Sequence, residues 1–198
     1  MRLGRTAVVL FAGKIISSIV GFATTLYFAR FLGAEILGFY SIALALVSWL
    51  SLVGTMGIGS AVQKRMSEGN DPEKHFTAGF ILISFFAFTV TIFLLVFRAQ
   101  VNKYVGVEVA IFIAGIIIVQ LLFAIFGVGL KGQRRVHIYG IIKPIQEISK
   151  SLGQFVLVIP VLFGLGLTGL FVGELLGTAV GTILAITVLK TKLKRPDT

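Results

Sequence analysis

The stretch FILISFFAFTVTIFLLVF, residues 80–97, has no charged side chain and places apolar residues on every helical face. A second stretch, VAIFIAGIIIVQLLFAIF at 109–126, is interrupted by little more than Gln120. A helix that is hydrophobic all round needs an apolar environment all round, and about 20 such residues cross a hydrocarbon core. Strands of a membrane barrel would instead alternate apolar and polar positions over about 10 residues, which these runs do not. The chain therefore reads as an all-α, polytopic protein of the cell (cytoplasmic) membrane.

Six runs separated by polar breaks lie at roughly 7–29, 36–62, 77–97, 107–130, 138–163 and 167–189. They make the 198 residues one six-helix transmembrane lobe. Lys and Arg mark the cytoplasmic loops. One set of ends holds Arg2, Arg5, Lys64, Arg65, Lys74, Lys131, Arg134, Arg135, Lys190, Lys192, Lys194 and Arg195, the other Arg30, Arg98 and Lys103. Both termini are accordingly expected in the cytoplasm. The opening run is read as a first transmembrane helix and not a signal peptide, because Lys14 interrupts it and no small-x-small cleavage site follows. Short links at Arg30–Glu35 and 164–166 predict that helices one and two, and five and six, pack as antiparallel hairpins.

The net charge of +10 sits between apolar runs, not on a solvated face, so nucleic acid is not an expected partner. The absence of cysteine removes disulfides and thiolate chemistry, and His75 and His137 lack a second ligand at usable spacing. No paired carboxylates, HExxH, nucleophile elbow or phosphate-binding loop is present, and the two aspartates, Asp71 and Asp197, lie in a loop and at the tail. Neither an enzyme nor a cofactor or metal is expected.

Ionisable residues at membrane depth are expensive and face a bundle interior or a wet cavity. In helix one, Lys14, Ser18, Gly21 and Thr25 share a face, with Ser17 beside them. In helix five, Lys143, Glu147, Lys150 and Gln154 recur at helical spacing with Ser151 alongside. Helix six carries Glu174, near Gly177 and Thr178. The bland reading has Lys143 and Lys150 pairing with Glu147 along one helix and Lys14 and Lys143 snorkelling to the interface. The sharper one has Lys14, Lys150 and Lys143 lining an aqueous cationic cavity for an anionic substrate. Arg30 would then stand at its outer rim, unless it pairs with Glu35, and Glu147 and Glu174 would carry coupling ions or balance charge. Gly169, Gly173, Gly177 and Gly181 form a close-packing seam of the small-xxx-small kind. Gly54, Gly57 and Gly59, with Pro144 and Pro160, mark places where helices bend or break.

Three motifs, ARFLGAEILGFYSIA (29–43), GIGSAVQKRMSEG (57–69) and LKGQRRV (130–136), resemble the polysaccharide-exporting flippases of the MOP (MATE-like) superfamily, the Wzx-type O-antigen transporters. The resemblance implies two six-helix lobes around a central, often cationic cavity that opens alternately to each membrane face. It also implies a role in cell-envelope polysaccharide biosynthesis, with a polyprenyl-diphosphate-linked oligosaccharide as substrate. By position, Lys14 matches a cavity-lining cation, and Arg134 and Arg135 match a loop motif whose role is topological. This chain resembles the N-terminal lobe alone, so a second lobe would come from a homodimer or a separate chain, with a truncated or split gene preferred. The alternatives are an exporter of drugs or organic cations in the same superfamily, and a non-transporting scaffold or fragment.

Overall fold

A computed structural model describes residues 2–69, 71–159 and 164–189. Asn70, Pro160, Lys190, Lys192, Lys194, Arg195, Asp197 and the side chains of Arg2 and Arg5 lie outside the described residues. All regular structure among those described is helical: α1 (Arg2–Leu32), α2 (Ala34–Thr55), α3 (Ile58–Glu68), α4 (Pro72–Val96), α5 (Arg98–Val105), α6 (Ala110–Gly132), α7 (Val136–Val158) and α8 (Gly166–Val188). Five helices, α1 over Phe11–Leu32 together with α2, α4, α6 and α8, are long and apolar enough to cross a membrane. The sixth long helix, α7, has the 23 residues of α6 and α8 but carries Lys143, Glu147 and Lys150. Large apolar side chains, among them Phe22, Trp49, Phe85, Phe88 and Ile111, stand exposed around the bundle. Such a surface is stable against lipid and not against water, and the chain is a multi-pass membrane protein.

Helix α6 forms the axis. Ile113, Ile116, Ile117, Leu121, Ile125 and Leu130 are fully buried where α2, α3, α4 and α8 pack around it. The run expected at 36–62 is divided: α2 stops at Thr55, and Gly57 takes φ +76, a conformation that favours glycine. Beyond it α3 buries Val62 and Met66 and leaves Lys64 and Arg65 exposed, so it forms a separate amphipathic helix at the end of the bundle. A second short helix, α5, was not legible as such. It ends at Gly106 (φ +94), and its Asn102 Oδ1 accepts from the N–H groups of Val109 at 3.0 Å and Ala110 at 2.9 Å, satisfying the start of α6.

Helices α7 and α8 form a close antiparallel hairpin. Gly169 faces Leu157 and Val158, Gly173 faces Gln154, Gly177 faces Lys150, and Gly181 faces Gln146. Every fourth residue of α8 thus meets the backbone or inner side chains of α7. The link is closed by the Leu165 N–H donating to the Leu157 carbonyl at 3.0 Å.

The hairpin expected of α1 and α2 does not form along their length. The chain reverses at Gly33 (φ +86), and α1 then lies against α7 more than against α2. Gly13 abuts the Pro144 ring and the Gly140 carbonyl, and the Tyr27 ring centroid is 4.9 Å from that of Phe155. The reason is shape: Gly13 carries no side chain where α1 meets the Pro144 ring, and Tyr27 packs on Phe155 further along, while the Ser17, Thr24 and Thr25 hydroxyls donate to carbonyls of α1 itself.

At one end of the bundle the Arg134 Nη2 donates to the Ser67 carbonyl at 3.2 Å and the Arg135 Nη1 to the Val188 carbonyl at 2.6 Å. These bonds tie α3, α6 and the C-terminus of α8 together at the end where Lys64, Arg65 and Lys131 also lie. The charge rule assigns this end to the cytoplasm.

Gly177→Leu is expected to destabilise the fold by at least about 2 kcal/mol through overpacking of the α7–α8 seam. Gly38→Ala, where an added Cβ meets nothing within 4 Å, should not destabilise and should stabilise α2 by up to about 1 kcal/mol. Unfolding in detergent or bicelles measures both.

Candidate functional site

The polar residues of four helices converge beside α7. Lys143 Nζ lies 2.8 Å from Glu147 Oε1, and Lys150 Nζ lies 3.1 Å from Glu147 Oε2 and 2.9 Å from Glu174 Oε1. The first two pairs follow the helical spacing of α7. The third crosses to α8, and it forms because Gly177 allows α8 to come against Lys150. The Tyr40 hydroxyl of α2 donates to Glu174 Oε2 at 3.1 Å and accepts from Gln154 Nε2 at 2.7 Å. Gln154 also donates to the Leu170 carbonyl at 3.1 Å. On the opposite side, Lys143 donates to Gln146 Oε1 at 2.8 Å, and Gln146 Nε2 donates to Thr178 Oγ1 at 3.3 Å.

The groups differ sharply in access. Side-chain exposure is 42% for Lys143, 31% for Glu147, 18% for Lys150 and 5% for Glu174. Glu174 is thus the fixed anion at the back of the site, held by an ammonium group and a phenol, and Glu147 is the anion at its surface. Lys150 lies roughly 12 Å from the far end of α7 at about 1.5 Å per residue, too deep for its ammonium to snorkel easily to the interface.

Two cavities flank this network. One, of about 490 Å³, lies between α1 and α7 and is lined by Lys14, Ser17, Ser18, Tyr139, Lys143 and Glu147. The other, of about 420 Å³, is bounded by α1, α2, α7 and α8 and is lined by Thr25, Tyr40, Ser41, Lys150, Gln154 and Glu174, again with Glu147. Glu147 is the residue common to both linings. The first lies toward the basic end and the second deeper.

Lys14, Lys143, Lys150, Glu147 and Glu174 are therefore brought together. Arg30 is not: it is exposed near the end of α1, lines neither cavity, and forms no ion pair with Glu35 among the described residues. The charges are also more balanced than a cationic cavity implies. Lys143 and Lys150 are paired with carboxylates, and Lys14 is the lining lysine without an ion-pair partner among the described residues. Tyr40 and Gln146 were missed in the sequence. A tyrosine in an otherwise apolar segment was the available signal, since a buried hydroxyl requires a partner.

The sequence profile of a family described as "Polysaccharide biosynthesis protein" matches residues 3–198. Two proteins of Haloferax volcanii are similar to the chain. The "Probable low-salt glycan biosynthesis flippase Agl15" is 30% identical over 197 residues, covering 100% of this chain and 41% of that protein. The "Probable flippase AglR" is 27% identical over 197 residues, covering 98% of this chain and 40% of that protein. The chain thus spans about two fifths of the length of these relatives. No solved structure matches it.

Lys150→Ala leaves Glu174 buried beside Glu147 without a cation and should cost about 3–5 kcal/mol of stability. Lys143→Ala, at a half-exposed pair with Lys150 still in place, should cost less than about 1 kcal/mol. Tyr40→Phe should cost about 1–3 kcal/mol and show non-additive coupling with Glu174→Gln in a double-mutant cycle.

Proposed function

This chain belongs to the polysaccharide biosynthesis protein family, and we propose that it is half of a flippase moving a polyprenyl-diphosphate-linked oligosaccharide across the cytoplasmic membrane. The observation that carries the reading is the pair of lysine-lined cavities at membrane depth in a chain whose whole length is similar to proteins named as flippases. A phosphorylated headgroup in hydrocarbon needs compensating charge. Lys14 supplies it at the cytoplasmic entrance and Lys150 further in, while the Ser18 hydroxyl of α1 offers a hydrogen bond to the same headgroup.

The protein is a transporter in this reading and performs no chemistry on its cargo. Glu147 and Glu174 serve charge balance, because ammonium groups already occupy both carboxylates. The cavities open beside α1, whose outward apolar face, with Phe11, Ile15, Ile19, Phe22 and Leu26 exposed, is where a second six-helix lobe would close the path. That lobe is a second copy of this chain or a separate one, and alternate rocking of the two lobes would expose the headgroup to each side.

Reconstituted in liposomes, the chain is expected to translocate a fluorescent polyprenyl-diphosphate-linked glycan faster than protein-free vesicles do. Lys14→Ala, at an exposed position with no hydrogen bond or ion pair among the described residues, should slow this at least about tenfold, equivalent to about 1.4 kcal/mol. No acceleration by the unaltered chain would rule out a transporter made of two copies of it, and full activity of K14A would sink the role of Lys14.

A further inference from the structure

We propose that Glu147 is a built-in competitor for the anionic headgroup: it occupies the lysines of the site when cargo is absent and is displaced when cargo binds. The inference rests on the proposed function and adds to it the residue that sets how tightly the headgroup is held.

Geometry separates the two carboxylates. Glu147 bridges both ammonium groups, one oxygen 2.8 Å from Lys143 and the other 3.1 Å from Lys150, which is the arrangement a phosphate would adopt between two lysines. It is also the more exposed carboxylate and lines both cavities. Its side chain can therefore rotate off the lysines into existing space. Glu174 has no such freedom, being 5% exposed and bonded to Lys150 and to Tyr40. An anion entering from the first cavity meets Lys14 unpaired, then Lys143 with Glu147 already seated on it. Displacing Glu147 hands the lysine contacts to the phosphate, and leaves Lys150 still neutralised by Glu174. Lys143 and Lys150 thus keep a counter-charge both before and after the exchange.

A competing internal ligand weakens the external one, since the lysine contacts it makes must be surrendered first. Such weakening suits a carrier, which must release what it binds. It also predicts a sign that a purely structural carboxylate would not produce. Removing the charge of a supporting residue weakens binding, whereas removing the charge of a competitor strengthens it.

The test is titration of farnesyl diphosphate into the purified chain in detergent by calorimetry, with the unaltered chain, E147Q, E147D and E147Q/K150Q compared after gel filtration. E147Q should bind about tenfold tighter. E147D, which keeps the charge on a shorter arm that cannot bridge both lysines, should fall between E147Q and the unaltered chain, and K150Q should abolish the gain of E147Q. Equal or weaker binding by both E147Q and E147D would overturn the inference while leaving the proposed function in place. Absence of binding by all four proteins would overturn both.

Discussion

A charge carried into hydrocarbon must bring its counter-charge with it, and here that requirement is met across two helices. Lys150 on α7 and Glu174 on α8 sit 2.9 Å apart, and the ion pair exists because α8 presents glycine wherever α7 presents bulk. Had Gly177 a side chain, the helices would separate and both charges would lose their partner in a medium that penalises each of them. The seam and the ion pair are thus one structural device. The rest of the site is arranged around it: Tyr40 reaches in from α2 to the free oxygen of Glu174, Gln154 orders Tyr40, and α1 closes over the charged face of α7.

Much of this arrangement was legible from periodicity. Lys143, Glu147 and Lys150 recur at helical spacing, so their sharing of one face follows from 3.6 residues per turn, and the four-residue glycine repeat on α8 marks a face for close packing. Partner choice was less legible. A glycine repeat does not say which helix fills it, and a short link between α1 and α2 suggested a hairpin where α1 lies chiefly on α7 instead. The competing effect was shape: Gly13 leaves room for the Pro144 ring and Tyr27 packs on Phe155, so α1 fits α7 more closely than it fits α2.

Hydropathy also blurred two local features. Residues 56–62 are apolar enough to prolong a span, yet Gly57 bends the chain and α3 turns aside, its charged residues outward. The reverse holds for α7, whose charges lower its apolarity although the bundle itself shelters them. Sign and spacing of charges revealed the site residues but not their balance, since whether Glu174 on α8 reaches a lysine on α7 depends on helix register, which no single segment encodes.

The one-residue link at Gly33 has a mechanical meaning. With the end of α1 at Leu32 and the start of α2 at Ala34, two Cα–Cα steps of about 3.8 Å each tether the helix ends within about 7.6 Å of each other, so neither end can travel far without the other. What remains available is rotation about that point. Any widening of the space between α1 and α2 would then be a swing whose arc is smallest beside Gly33 and largest at the far ends of the two helices, the shape of a wedge and not of a slot along the depth.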